Sequence, residues 1–137
     1  MSGEPLALLL LRASRWFDAE LRDALERQGW PRLTAAQSLV FAQLAPNGLA
    51  PAALARRLGT SRQAAQQLVE GLVRHDLLVV VDDPGRRGGR LVQLSERGRA
   101  LARDARGILD GLERGLGGER AGGLRQLLTD VGRPAEP

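Results

Sequence analysis

The stretch "APAALARRLGTSRQAAQQLVEGLVRHDLL", Ala50 to Leu78, constrains the fold most. Pro51 suits the first turn of a helix, where its missing N–H leaves no bond unmade. Gly59 stops that helix after about two turns. Thr60 or Ser61 caps the next one, which runs to about His75 with Leu68, Val69, Leu72 and Val73 facing inward. Helix, tight glycine turn, helix is the helix-turn-helix pattern. Arg62, Gln63, Gln66 and Gln67 crowd the first two turns of the second helix. Glutamine bonds adenine edges, and arginine bonds guanine edges or phosphates. The first turns of a recognition helix are the part that reaches bases. An ordinary exposed helix face would have the same composition.

Directly after it comes "VVVDDPGRRGGRLVQLS", Val79 to Ser95. "LLVVV" and "RLVQL" have strand composition, and the glycine-arginine tip between them makes a hairpin. Arg86, Arg87 and Arg90 put three cations on that tip. Arginine suits phosphates and a narrow, negative minor groove, whereas the bland reading is a solvated loop. Asp82 or Asp83 at the base is available to pair with one of them. Between Arg56 and Arg99 stand nine arginines against five acids, a surplus of four that equals the net charge of the whole chain. So local a basic footprint suits a polyanion.

The flanks read as helices. Pro5 opens one in which Leu6, Leu9, Leu10, Ala13, Trp16, Phe17, Leu21, Ala24 and Leu25 recur at three- and four-residue steps, to about Gln28 before Gly29. "LALLLL", Leu6 to Leu11, follows an acid and is too short for a signal peptide, so it reads as the start of a buried helix. Thr34-Ala-Ala-Gln37 is a capping box for a helix to about Leu44, and "PNG", 46–48, is a turn. Ser95 caps a helix from about Glu96 to Arg114, "GLGG" breaks it, and a last helix spans about Glu119 to Val131. "GRPAEP" reads as a frayed tail. Gly107, Gly111 and Gly115 fall at four-residue steps, which suits close approach of a partner helix or merely a glycine-rich composition. His75 reads as a helix-end residue.

With 137 residues the chain makes one domain with a modest core. It has no cysteine, one histidine, no lysine and no tyrosine, which leaves no thiol chemistry and no multi-histidine metal site. No run approaches the roughly 20 apolar residues of a membrane helix. No catalytic constellation stands out, no cofactor is implied, and the expected location is the cytoplasm.

Taken in order, these motifs resemble the MarR family of bacterial winged-helix regulators. "LTAAQSLVFAQL" is similar to the family's Leu-Thr-x-x-Gln opening of helix 2. "LARRLGTSRQAAQQLVEGL" is similar to its helix-turn-helix. "DDPGRRGGRLVQLSERG" resembles its Asp-Pro-x-Asp-x-Arg wing followed by Leu-Thr-x-x-Gly. Three positions depart from the pattern. The wing aspartate falls on Arg86 and the wing is one residue longer, the glycine after helix 4 is Asp76, and the arginine after the first wing strand is Val80.

The resemblance implies a mainly α fold with a small β-hairpin wing. Residues 34–95 would be the DNA-binding lobe, and 5–28 and 96–131 the dimerisation helices, with leucines 6, 9, 10, 124, 127 and 128 interlocking across the two-fold. It implies a homodimeric, ligand-responsive repressor on a pseudo-palindromic site in double-stranded DNA. Ser61, Arg57, Arg62, Gln63, Gln66, Gln67, Arg86, Arg87 and Arg90 are its DNA-binding candidates. It further implies a cleft for a small aromatic or amphipathic effector, with Trp16, Trp30 and Phe41 as lining candidates and Arg15 as an anion partner. A winged-helix protein-interaction module without specific DNA binding, or a DNA binder without an effector, is compatible with the same residues.

Overall fold

The computed structural model describes residues 3–44 and 47–131. Eight elements follow in the expected order: α1 (Leu6–Arg27), α2 (Ala35–Gln43), α3 (Pro51–Leu58), α4 (Arg62–Arg74), β1 (Leu78–Asp82), β2 (Arg90–Leu94), α5 (Glu96–Leu116) and α6 (Gly118–Asp130). The starts follow from caps. The Thr34 hydroxyl accepts from the Gln37 backbone N–H at 3.1 Å while the Gln37 side chain accepts from the Thr34 N–H at 2.9 Å, a complete capping box. Ser61 accepts from the Ala64 N–H and Ser95 from the Gly98 N–H. Pro5 serves as the residue before the first turn of α1, one position earlier than expected.

The ends of α1, α3 and α4 share one device. Within two residues past each helix the chain takes a positive φ: Gly29 at 94°, Gly59 at 68° and Asp76 at 58°. Each following N–H then reaches back five residues, Trp30 to Leu25, Thr60 to Ala55 and Leu77 to Leu72, at 2.9–3.1 Å. These are Schellman closures, and Leu77 on Leu72 adds the buried apolar contact that often accompanies them. Asp76 is the one non-glycine described residue with positive φ. A left-handed backbone costs an ordinary L residue about 1–2 kcal/mol, less for aspartate, and glycine recovers it at an entropic cost of roughly 0.5–1 kcal/mol. Asp76→Gly is therefore expected to leave stability unchanged or raise it by up to about 1 kcal/mol, and Asp76→Val to lower it by at least about 1 kcal/mol. Denaturant midpoints of the two variants check this.

The hairpin pairs antiparallel from Leu78 opposite Leu94 to Asp82 opposite Arg90. Leu49 joins it by two backbone bonds to Val92, of 3.0 and 2.7 Å. Gly48 makes that approach possible, since a Cβ there would stand 2.6 Å from the Val92 carbonyl oxygen and its φ is +84°. One core lies between α1, α2, α3, α4, the root of the hairpin and the first half of α5. Val40, Leu54, Leu72 and Leu77 are its fully buried centre.

Two expectations about burial are corrected. "LALLLL" is not buried within the chain: Leu6 is 70% exposed and Leu8, Leu9 and Leu11 are all over 40%. The core ends near Leu21, and the first turns of α1 extend past it. Val73 was expected to face inward, but it is 41% exposed, because the last turn of α4 borders an open groove rather than the core. α6 likewise has no buried residue, with Leu127 71% exposed. Among the described residues nothing approaches Gly107 or Gly115, and Gly111 meets only the Arg114 guanidinium of its own helix, so no other described helix packs closely on these steps. Pro46 and the tail from Gly132 lie outside the described residues; Asn47 is in a turn.

Candidate nucleic-acid interface

The turn between α3 and α4 is three residues, Gly59 to Ser61, closed at one side by the left-handed glycine and capped at the other by the Ser61 hydroxyl. This brings the N-terminus of α4 to the surface. Arg62, Gln63, Gln66 and Gln67 are all exposed, while Ala65, Val69 and Leu72 on the opposite face bury into the core. Burial of one face by three apolar side chains thus fixes which polar side chains face out.

Between α3, α4 and the wing lies an open groove of about 780 Å³. Its floor is apolar, with Ala65, Val69, Val73, Val80 and Val92. Arg62, Gln66, Glu70, Arg74 and Arg90 line its sides. The groove runs along α4 from Arg62 to Arg74 and reaches the base of the wing at Val80 and Arg90. Arg74 is a member that sequence reasoning missed; its spacing of twelve residues from Arg62 on one helix was the available signal. Val80, where the family pattern has arginine, contributes to the apolar floor.

The wing carries its charge differently from the expectation. Neither Asp82 nor Asp83 forms an ion pair with a wing arginine. Asp83 braces backbone instead. Its carboxylate accepts from the Gly85 N–H at 2.9 Å, its carbonyl from the Arg86 N–H, and its N–H donates to the Gly89 carbonyl. Asp82 faces Arg90 across the strands without an ion pair. Arg86, Arg87 and Arg90 are exposed, and none has a salt-bridge partner among the described residues. Arg57 is partly engaged elsewhere, donating to the Gln43 carbonyl at the end of α2 at 3.4 Å.

A corner behind the interface sets how α4 and the wing sit relative to each other. Ser95 donates its N–H to the Leu77 carbonyl (3.0 Å) and its hydroxyl to the Asp76 carbonyl (2.6 Å). Arg97 donates to the His75 carbonyl. His75 is thus the helix-end residue expected, although its main-chain oxygen, not its imidazole, makes that contact. Gly98 lies so close that an added Cβ would fall 2.0 Å from the Leu77 carbonyl oxygen.

The candidate effector residues are not gathered into one site. Trp30 is half-buried against the core, its indole N–H donates to Asp104 at 2.8 Å, and the Arg97 guanidinium lies 5.4 Å from its ring centre. Phe41 packs against the core as well. Trp16 is 45% exposed and meets Phe17 edge-on at 5.0 Å. Nine residues of α1 separate Trp16 from Leu25, whose carbonyl holds the Trp30 N–H, so the two tryptophans stand roughly 13 Å apart along the helix axis. Arg15 is exposed.

Residues 33–87, from the start of α2 through α4 to the wing tip, match the profile of the MarR family. The matched stretch is 55 of the chain's 137 residues and spans the helix-turn-helix and most of the wing. No curated protein matches its sequence. Solved MarR-type structures agree with its whole fold. CouR from Rhodococcus jostii RHA1, bound to p-coumaroyl-CoA, superposes with a TM-score of 0.74 at 22% identity, over 98% of this chain and 96% of that one. Apo MarR from E. coli gives 0.71 at 22% identity, over 95% and 98%. A MepR variant from S. aureus bound to an oligodeoxyribonucleotide gives 0.61 at 19% identity, over 93% and 95%. The fold is that of MarR-family transcriptional regulators, with α3 and α4 as the helix-turn-helix and the hairpin as the wing. Among the described residues no helix is long and apolar enough to cross a membrane.

Proposed function

We propose that this chain is a sequence-specific DNA-binding regulator of the MarR type, working as a homodimeric repressor on a pseudo-palindromic operator. One observation carries the reading: Arg62, Gln66 and Arg74 of α4 and Arg90 of the wing line a single groove, with Arg86 and Arg87 exposed on the wing tip beyond it. With α4 in the major groove and the wing in the adjacent minor groove, the phosphate strand between them crosses that groove. Arg62, Arg74 and Arg90 then face phosphate, and Gln63, Gln66 and Gln67 face base edges. A MepR variant bound to an oligodeoxyribonucleotide supports DNA as the partner.

Base reading is tested by Gln63→Ala, using a duplex selected by the wild-type protein from a random library. Affinity for that duplex is expected to fall by about 1–3 kcal/mol, and affinity for random duplexes to stay the same. Equal losses on both would reject base reading by this residue.

Dimerisation is supported by the apolar surface that the chain leaves open at Leu6 and Leu9 of α1 and at Leu124 and Leu127 of α6. Isolated exposed leucines need no explanation, but two apolar stripes on terminal helices mark an interface. Removing residues 116–137 is expected to give monomers in sedimentation and weak DNA binding. A truncated chain that still sediments as a dimer would place the interface elsewhere. The two-fold sets half-sites about one helical turn apart.

An aromatic or amphipathic effector is supported by the CouR complex with p-coumaroyl-CoA. Trp16 and Arg15 are the open ligand-facing candidates. Trp30 and Phe41 are engaged by the chain's own packing.

A further inference from the structure

Gln66 is not free in the way its neighbours on α4 are. Its amide nitrogen donates to Glu70, one turn further along the helix, at 3.1 Å. Arg74 stands one turn beyond Glu70 and lines the same groove, as do Arg62 and Arg90, yet the carboxylate forms no salt bridge with any of them. Its side-chain hydrogen bond goes to Gln66.

We propose that Glu70 is a positioning residue that sets the Gln66 amide for adenine and against guanine at one base pair of each half-site. The inference rests on the reading of α4 as the recognition helix. A glutamine amide that is free to flip can offer two N–H donors to the N7 and O6 acceptors of guanine. It can equally offer one N–H and its oxygen to N7 and the N6 amine of adenine. A carboxylate accepts and cannot donate, so it holds the nitrogen end of the amide and leaves the oxygen end outward. One N–H is then committed to Glu70. The remaining N–H and the outward oxygen match adenine and cannot supply both donors that guanine requires. Glu70 also brings a negative charge near the phosphate path, which lowers affinity for every duplex alike. Affinity alone therefore does not report the positioning role, but base preference does.

The experiment is selection from a random-sequence duplex library with the full-length wild type, Glu70→Ala, Glu70→Gln and Gln66→Ala. Competition between duplexes differing at single positions then measures preference. Wild type is expected to prefer adenine over guanine by about tenfold at one position per half-site, within the range of a bidentate pair. Gln66→Ala should erase that preference. Glu70→Ala should cut it to about threefold or less at the same position only, with overall affinity raised. Glu70→Gln, whose carbonyl oxygen still accepts, should keep most of it. If Gln66→Ala erases the preference and Glu70→Ala leaves it intact, the positioning role is overturned and base reading by Gln66 stands. If Gln66→Ala changes no position, both fall.

Discussion

Gly98→Ala is expected to cost about 3 kcal/mol or more of folding stability, although the substitution adds one methyl group to a helix. The added Cβ would stand 2.0 Å from the Leu77 carbonyl oxygen and 3.1 Å from its carbon. Both are backbone atoms, so no side-chain rotation relieves the contact. Overpacking a tight site typically costs 1–3 kcal/mol, and more where backbone must move. Here the backbone is not free to move. The Leu77 carbonyl accepts from the Ser95 N–H, the Leu77 N–H closes the Schellman motif of α4, and the Leu77 and Leu78 side chains are buried at 0% and 1% exposure. Any retreat breaks bonds on both sides of the corner. The comparison within the same helix is Gly107→Ala. Among the described residues nothing outside the helix's own backbone lies within 4 Å of a Cβ there, so this variant should gain roughly 0.5–1 kcal/mol from helix propensity. Denaturant midpoints of the two variants separate the contact from the propensity. A Gly98→Ala protein as stable as wild type would mean that α5 does not press on the α4–β1 corner. The same corner holds the wing to α4, so on the proposed reading DNA binding should weaken in Gly98→Ala at temperatures where the fold survives.

The order of elements was legible in the sequence because local chemistry sets it. Capping side chains at Thr34, Ser61 and Ser95 start helices, and Gly29 and Gly59 end them through backbone conformations that glycine adopts cheaply. Those signals act within five residues and do not depend on tertiary packing. The basic face was legible too, since arginines have few uses inside a small core. What the sequence hid depended on geometry beyond one helix. The 3.6-residue period puts Val73 on the apolar face of α4, but the period does not say where the core stops. "LALLLL" has the composition of buried helix, and only the fold shows that no described part of the chain covers it. The family resemblance implied a ligand cleft with Trp30 among its candidates, yet Trp30 is occupied by Asp104 and Arg97, 74 and 67 positions further along the chain. Asp76 looked like a departure from the family's glycine. In the structure it takes a left-handed backbone that glycine would adopt cheaply, and the price is local strain.

The wing gives the other large effect. Arg86→Ala combined with Arg87→Ala is expected to weaken binding to selected and random duplexes together. The slope of log affinity against log salt should flatten by between about one and four units for a dimer with two wings, at about 0.9 per phosphate neutralised. The fold should be unaffected. Four bonds shape the tip, and all are made by backbone groups or by the Asp83 carboxylate: Gly85 N–H to that carboxylate, Arg86 N–H to the Asp83 carbonyl, Gly89 N–H to the Arg86 carbonyl and Asp83 N–H to the Gly89 carbonyl. Neither guanidinium takes part, and neither has an acid to release. Holding the cations together in free protein costs little, since they are exposed and screened over roughly 8 Å at physiological ionic strength. On the proposed reading, phosphate would be the first strong partner these arginines meet, and they would reach it without breaking an ion pair among the described residues. A salt titration of wild type and double variant measures the slope, and an unchanged slope would remove the wing from the DNA backbone. Asp83→Ala is the complementary variant. It keeps every wing cation but deletes the carboxylate that turns the tip, so affinity should fall while the slope stays near wild type, provided that the hairpin still presents its arginines. A slope lowered as far as in the double variant would mean that the Asp83 brace, more than the charge itself, decides whether the wing meets phosphate.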